Sequence, residues 1–187
     1  MRILGIDPGL NTTGYAVIEA VGGPRVLEAG VIKGAEGREP ADIAKRLRSL
    51  YDSLLEVIDQ LTPAVLVVEQ LYSHYEHPRT AILMAHARGV IFLAGANRNL
   101  PVLSYSATQI KKTITGNGRA SKEQIQHAML REFGLPKLPE PHDVSDALAV
   151  ALCHHHLSGS AKRVVGRGKV VDRSALFGEE ETRNPTA

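Results

Sequence analysis

The sequence predicts an α/β fold: a mixed sheet with an antiparallel meander at one side and helices packed on it. Three observations carry that prediction. Three short strand-like runs separated by glycine turns open the chain, at Arg2–Ile6, Tyr15–Ile18 and Arg25–Ile32. An unbroken apolar run, Ala64–Val68, has the character of a central strand buried on both faces. Segments of helical period alternate with what remains.

Taken in order, Arg2-Ile3-Leu4-Gly5-Ile6 forms the first strand and leaves Asp7 at its end. Pro8-Gly9 and Asn11–Gly14 are turn residues. Gly22-Gly23-Pro24 makes the next turn, and Lys33–Pro40 is a polar loop. Over Ala41–Gln60, Ile43, Leu47, Leu50, Leu54, Val57 and Ile58 fall on one helical stripe, and Pro63 stops the helix. The strand Ala64–Val68 ends in Glu69 and leads to the polar segment Gln70–His77. A helix from Pro78 packs through Ile82, Ala85, His86, Gly89, Val90, Leu93 and Ala94, and Gly89 lets a neighbour approach closely. Val102–Tyr105 is the fifth strand and Ser106–Ile114 a short helix. After the loop Thr115–Ala120, Ser121 and Gln124 form a capping box that opens a helix to Phe133. Gly134–Pro141 is a proline-rich linker. The last helix, Asp143–His156, packs through Val144, Leu148, Ala151, Leu152 and His155, with His154-His155-His156 at its surface end. Residues 1–157 thus form one domain, and 158–187 a polar, aperiodic, flexible C-terminal tail.

Composition narrows the function classes. A hydrophobic fraction of 43% suffices for one core. No apolar run approaches the roughly 20 residues of a membrane span, and no secretory signal opens the chain. Cys153 is the lone cysteine, a core residue, so no intramolecular disulfide forms and a reducing cytoplasm is the expected location. The net charge of +2 is modest, but its distribution is uneven. Lys111, Lys112, Arg119 and Lys122 form one cluster, and Lys162, Arg163, Arg167, Lys169 and Arg173 another. Such clusters suit a polyanionic partner.

Carboxylates mark the chemistry. Asp7 and Glu69 close two strands, and Asp143 and Asp146 share a face near the start of the last helix. The Asp-Pro-Gly hairpin alone is open between a metal-dependent phosphoryl-transfer site and the phosphate grip of an ATPase. If the first and fourth strands are neighbours, Asp7 and Glu69 lie side by side. Four converging carboxylates without lysine or arginine partners would repel one another, which makes sense if divalent cations sit among them. Magnesium takes such oxygen donors, and a pair of ions roughly 4 Å apart can cleave a phosphodiester.

The chain resembles the RuvC family of Holliday-junction endonucleases. The matching stretches are GIDPGLNTTGYAV (Gly5–Val17), VVEQLY (Val67–Tyr72), ARGV (Ala87–Val90), LPVLSYSATQIKKTITGNGRASKEQIQ (Leu100–Gln126) and DVSDALAVALCHHH (Asp143–His156), in the family's order. Ser73–Leu83 departs from the family pattern, and Met84-Ala85-His86 replaces its Leu-Gly-Gln. The resemblance implies a ribonuclease H-like fold with a five-stranded mixed sheet. It implies Asp7, Glu69, Asp143 and Asp146 as the catalytic metal ligands, with His142 as an assisting candidate. It further implies Tyr72 stacking on a base and Lys111, Lys112 and Lys122 holding DNA phosphates, Arg119 being added to them.

The activity so implied is a Mg²⁺-dependent resolvase, two ions per site with Mn²⁺ able to substitute. A cytoplasmic homodimer would nick two strands of a four-way DNA junction symmetrically, leave 5′-phosphates, and work beside the RuvA–RuvB branch-migration complex, away from any membrane. The rivals are a ribonuclease H-like nuclease acting on RNA–DNA hybrids and a junction-binding protein without catalysis. An actin-like ATPase would need a second phosphate hairpin and a longer chain.

Overall fold

A computed structural model describes residues 1–34, 43–71 and 78–165, with side chains from 160 onward outside the description. Five strands and five helices alternate as expected: β1 (Arg2–Asp7), β2 (Thr12–Glu19), β3 (Arg25–Lys33), α1 (Ile43–Leu61), β4 (Val65–Glu69), α2 (Pro78–Asn97), β5 (Val102–Tyr105), α3 (Ala107–Thr115), α4 (Lys122–Glu132) and α5 (His142–Val165). The sheet order is β3-β2-β1-β4-β5. β1, β2 and β3 pair antiparallel, and β4 and β5 join in parallel. The five-stranded mixed sheet of the expected fold is therefore present.

Alternation along the central strands sends their side chains to two cores. Ile3, Ala16, Ile18, Val65 and Val67 face α3, α4 and α5. Leu4, Ile6, Val17, Leu66 and Val68 face α1 and α2. α5 is buried nearly all round rather than along one stripe, from Val144 to His154, because it lies between the sheet and α3 and α4. It approaches β1 closely because Gly5 carries no side chain: a Cβ there would overlap the Ala147 carbonyl oxygen and crowd Ala151.

Several sequence expectations need correction. Thr12–Gly14 belong to β2 rather than to a turn, and Gly14 pairs with Asp7. The buried side of α2 is Ala87, Ile91, Ala94 and Gly95, whereas Ile82, Ala85, His86, Gly89 and Leu93 are exposed. The glycine of close approach is Gly95, whose added Cβ would lie 2.7 Å from Val102 Cγ2, while Gly89 faces open space. A stretch so uniformly apolar gives its phase no polar face to register against. By length and composition alone, Arg79–Asn97 is even apolar enough to cross a membrane, yet here it packs on the sheet.

The expected surface histidines differ too. His154 is buried, and its Nδ1 lies 2.9 Å from the Tyr105 hydroxyl. Those histidines do not end the helix either. α5 runs to Val165, past the end expected at His156. Lys33–Pro40 lies mostly outside the described residues, as do Tyr72 and the remainder of the segment to His77.

Candidate active site

Parallel pairing builds the first half of the site. Ile6 registers with Val68, so Asp7 and Glu69 follow at the adjoining ends of β1 and β4. Past Asp7 the chain turns at Pro8-Gly9. Thr13 closes that turn: its hydroxyl donates to the Gly9 carbonyl at 2.6 Å, and the Gly9 N–H reaches the same Oγ1 at 3.4 Å. Thr13 is fully buried and was not singled out from the sequence, since its role depends on the fold of the turn.

The second half comes from α5. Its first turn is tied down by Ser145, which donates to the His142 carbonyl at 2.7 Å, and by the Val144 N–H bonded to the Pro141 carbonyl at 3.0 Å. Gly14 lies under this turn, and a Cβ there would overlap the Asp143 carbonyl oxygen. The absent side chain lets the Asp143 turn sit on the strand next to Asp7.

Asp7, Glu69, Asp143 and Asp146 therefore line one cleft of about 350 Å³, together with Gly9, Met84, Ile110, Lys111 and Lys122. Burial, then the charges of Glu69, Asp146 and Asp143, push the Asp7 carboxyl up to about 8, against a smaller opposing pull from Lys122. Burial and Asp146 push Glu69 up to about 7. Asp146 is raised by burial, with Lys122 opposing. Each shift says that the charged forms crowd one another and want positive charge nearby.

That charge is partly supplied by the protein, contrary to the expectation of carboxylates without basic partners. Lys122 Nζ stands 3.8 Å from Asp146 Oδ2, and Lys111 lowers Glu69 through its charge. The α3–α4 connection brings them there. Gly116 ends α3 in the left-handed conformation, and the Ser121–Gln124 capping box starts α4 at Lys122.

The remaining expected residues lie elsewhere. Lys112 and Arg119 are exposed and do not line the cleft. His142 is exposed in a separate hollow with Gln126, Glu140 and Pro141. Tyr72 lies outside the described residues.

The donor set consists of hard carboxylate oxygens, which suit a hard divalent cation. Among the described residues no three Asp, Glu, His or Cys side chains already close to a metal-binding cluster, so the four carboxylates line the cleft without meeting at one point.

The chain is similar to known proteins over most of its length. The family model described as "Crossover junction endodeoxyribonuclease RuvC" matches residues 3–154. A protein of that name from Rhodopirellula baltica is 52% identical over 160 residues, 84% of this chain and 88% of the relative. The "Thermus thermophilus RuvC structure" has a TM-score of 0.77 at 30% identity, covering 86% of this chain and 97% of that one. The T. thermophilus RuvC structure in complex with Holliday junction substrate gives a TM-score of 0.78 at 29% identity, covering 86% and 96%.

Proposed function

Because the chain belongs to the RuvC family of crossover junction endodeoxyribonucleases, we propose that its carboxylate cleft cuts the phosphodiester backbone of four-way DNA junctions in recombination and repair. The observation that carries this reading is the set of four carboxylates along one cleft beside two lysines. The activity is metal-dependent. Asp7, Glu69, Asp143 and Asp146 would hold two Mg²⁺ ions, with Mn²⁺ able to substitute. Bound there, such ions supply Lewis-acid polarisation of the phosphodiester and ease ionisation of the attacking water.

The protein's own groups do the rest. Asp7, pushed up to about 8 by burial and by the other three carboxylates, is the residue most in need of a cation. Lys111 and Lys122, at the same cleft, hold phosphate oxygens and bring the strand to the carboxylates. Lys112 and Arg119 extend that basic surface, and Tyr72 would stack on a base at the junction. His142 would stand beside the ligand set as an assisting residue. Residues 1–157 would make up the nuclease domain, with 158–187 as a tail.

The exposed stripe on α2, with Ile82 57% and Leu93 53% accessible, supports a homodimer that places two cuts symmetrically. Family membership supports work beside the RuvA–RuvB complex, and a chromosomal DNA substrate supports a cytoplasmic location. The test is cleavage of a labelled four-way junction in Mg²⁺, beside a linear duplex and an RNA–DNA hybrid. Wild type should cut the junction in preference, and Asp7→Asn should bind it without cutting. Cleavage by Asp7→Asn at the wild-type rate would sink the assignment.

A further inference from the structure

We propose that Arg88, on the α2 wall beside the cleft, grips a backbone phosphate of the bound DNA strand. This rests on the nucleic-acid reading above and adds a contact to those of Lys111 and Lys122. Among the described residues, no carboxylate pairs with Arg88. Arg88 donates from Nη2 to the Ser104 hydroxyl at 2.8 Å, and its Cζ stands 4.8 Å from the Phe92 ring centroid. Its Nε is buried and has no hydrogen-bond partner among the described residues.

Three other arginines of the fold do meet an acid. Arg25 pairs with Glu19, Arg48 with Asp52, and Arg98 with Asp59 through two hydrogen bonds. Arg46 also has a buried, unpartnered Nε, but the Asn11 side-chain oxygen and the Leu10 carbonyl hold its guanidinium as a brace for the turn. Among the described residues, Arg88 meets a neutral hydroxyl and a ring face, which orient the guanidinium without an anion. Partial burial without an anion is costly for a cation, and burial does depress this guanidinium.

Position points to the anion. Met84, four residues before Arg88, lines the carboxylate cleft, and so does Ala107, three residues after Ser104. Arg88 thus stands one helical turn, about 6 Å, from the cleft wall. That is roughly two nucleotides of rise along a strand. A strand seated on the carboxylates and leaving towards the β5 edge passes Arg88. A planar guanidinium presents its donors in the fork that suits phosphate oxygens.

The test is the salt dependence of four-way-junction binding in EDTA, where no cleavage competes, for wild type, Arg88→Gln, Arg88→Lys and Arg98→Gln. Thermal melting first fixes an assay temperature at which each is folded. Arg88→Gln should lower the magnitude of the slope of log Kobs against log [KCl] by about 0.9 for each Arg88 engaged, and weaken binding about tenfold at 0.1 M salt. Arg88→Lys should keep the slope while losing part of the affinity, and Arg98→Gln should match wild type. A wild-type slope in Arg88→Gln overturns the proposal, whatever happens to its melting temperature. So does equal loss of slope in Arg88→Lys, which would make packing rather than charge the cause. Failure of the underlying reading looks different: the wild type itself would bind the junction without salt dependence.

Discussion

At the scale of single residues, Asp7 links stability to the site. Its carboxyl rises from 3.8 to about 8 on folding. Between those values the folded state binds more protons than the unfolded chain, so stability falls as pH rises. The contribution is neutral below about pH 4 and becomes a growing penalty through pH 8. Without divalent cations, the protein should melt higher at pH 5 than at pH 8. Asp7→Asn should remove much of that slope and stabilise the metal-free fold at pH 8 by on the order of 2 kcal/mol, some 4–8 °C in Tm. A melting series in EDTA checks this, and an unchanged pH slope in Asp7→Asn would contradict it. Gly14 makes the opposite case, because its absent Cβ seats the Asp143 turn. Gly14→Ala should push α5 outward, cost about 2–4 kcal/mol of stability and lower cleavage at least ~100-fold. Single-turnover rates at a temperature where the variant is folded would test it. The four carboxylates were legible from sequence because each stands at the end or start of a strongly patterned element. The approach of Lys122 to Asp146 was not, because it depends on how α3 and α4 pack, which no local pattern encodes.

At the scale of elements, legibility follows the contrast between faces. α1 has alternating polar and apolar sides, and Leu50, Leu54, Val57 and Ile58 are buried as its stripe implies. α4 declares its start through a capping box whose two bonds both form: Gln124 N–H to Ser121 Oγ at 3.3 Å, and Ser121 N–H to Gln124 Oε1 at 2.9 Å. Lys122 is the first residue of that helix, so the cap also holds a cleft cation. Ser121→Ala should cost about 1 kcal/mol. It should also weaken junction binding a few-fold by fraying the turn that carries Lys122. Chemical denaturation and anisotropy read the two effects separately, and a stability loss without any binding loss would detach the cap from the site. In α2, by contrast, small and apolar residues occupy every face, so periodicity marks a helix without saying how it is turned; in α5 the expected Val144, Leu148, Ala151 and Leu152 are buried, but so are most of the residues between them. The burial of His154 against Tyr105 was hidden for a related reason: a polar pair inside a core is visible once both elements are placed.

At the scale of the molecule, the misjudged phase of α2 becomes informative. The helix buries Ala87, Ile91 and Ala94 against the sheet, yet Ile82 at 57%, Leu93 at 53% and Phe92 at 37% stay accessible on its other side. With Ala85, Gly89 and Ala96, also exposed, they make an outward apolar stripe at helical spacing. Water contact with such a stripe costs about 25 cal/mol per Å², and a second copy of the same helix can cover it around a two-fold axis. The small residues Ala85 and Gly89 let the two helices approach closely. The symmetric incision proposed above would need two clefts in one particle, and the stripe offers a surface for that assembly. Replacing Ile82 and Leu93 together by glutamate puts like charges face to face in that contact while leaving the sheet-facing side of α2 untouched. Sedimentation velocity should then show a shift from dimer to monomer, with circular dichroism and the individual fold retained. The monomer should lose coordinated cleavage of both strands, leaving isolated nicks at a reduced rate. A double variant that sediments as wild type would show that some other surface joins the subunits.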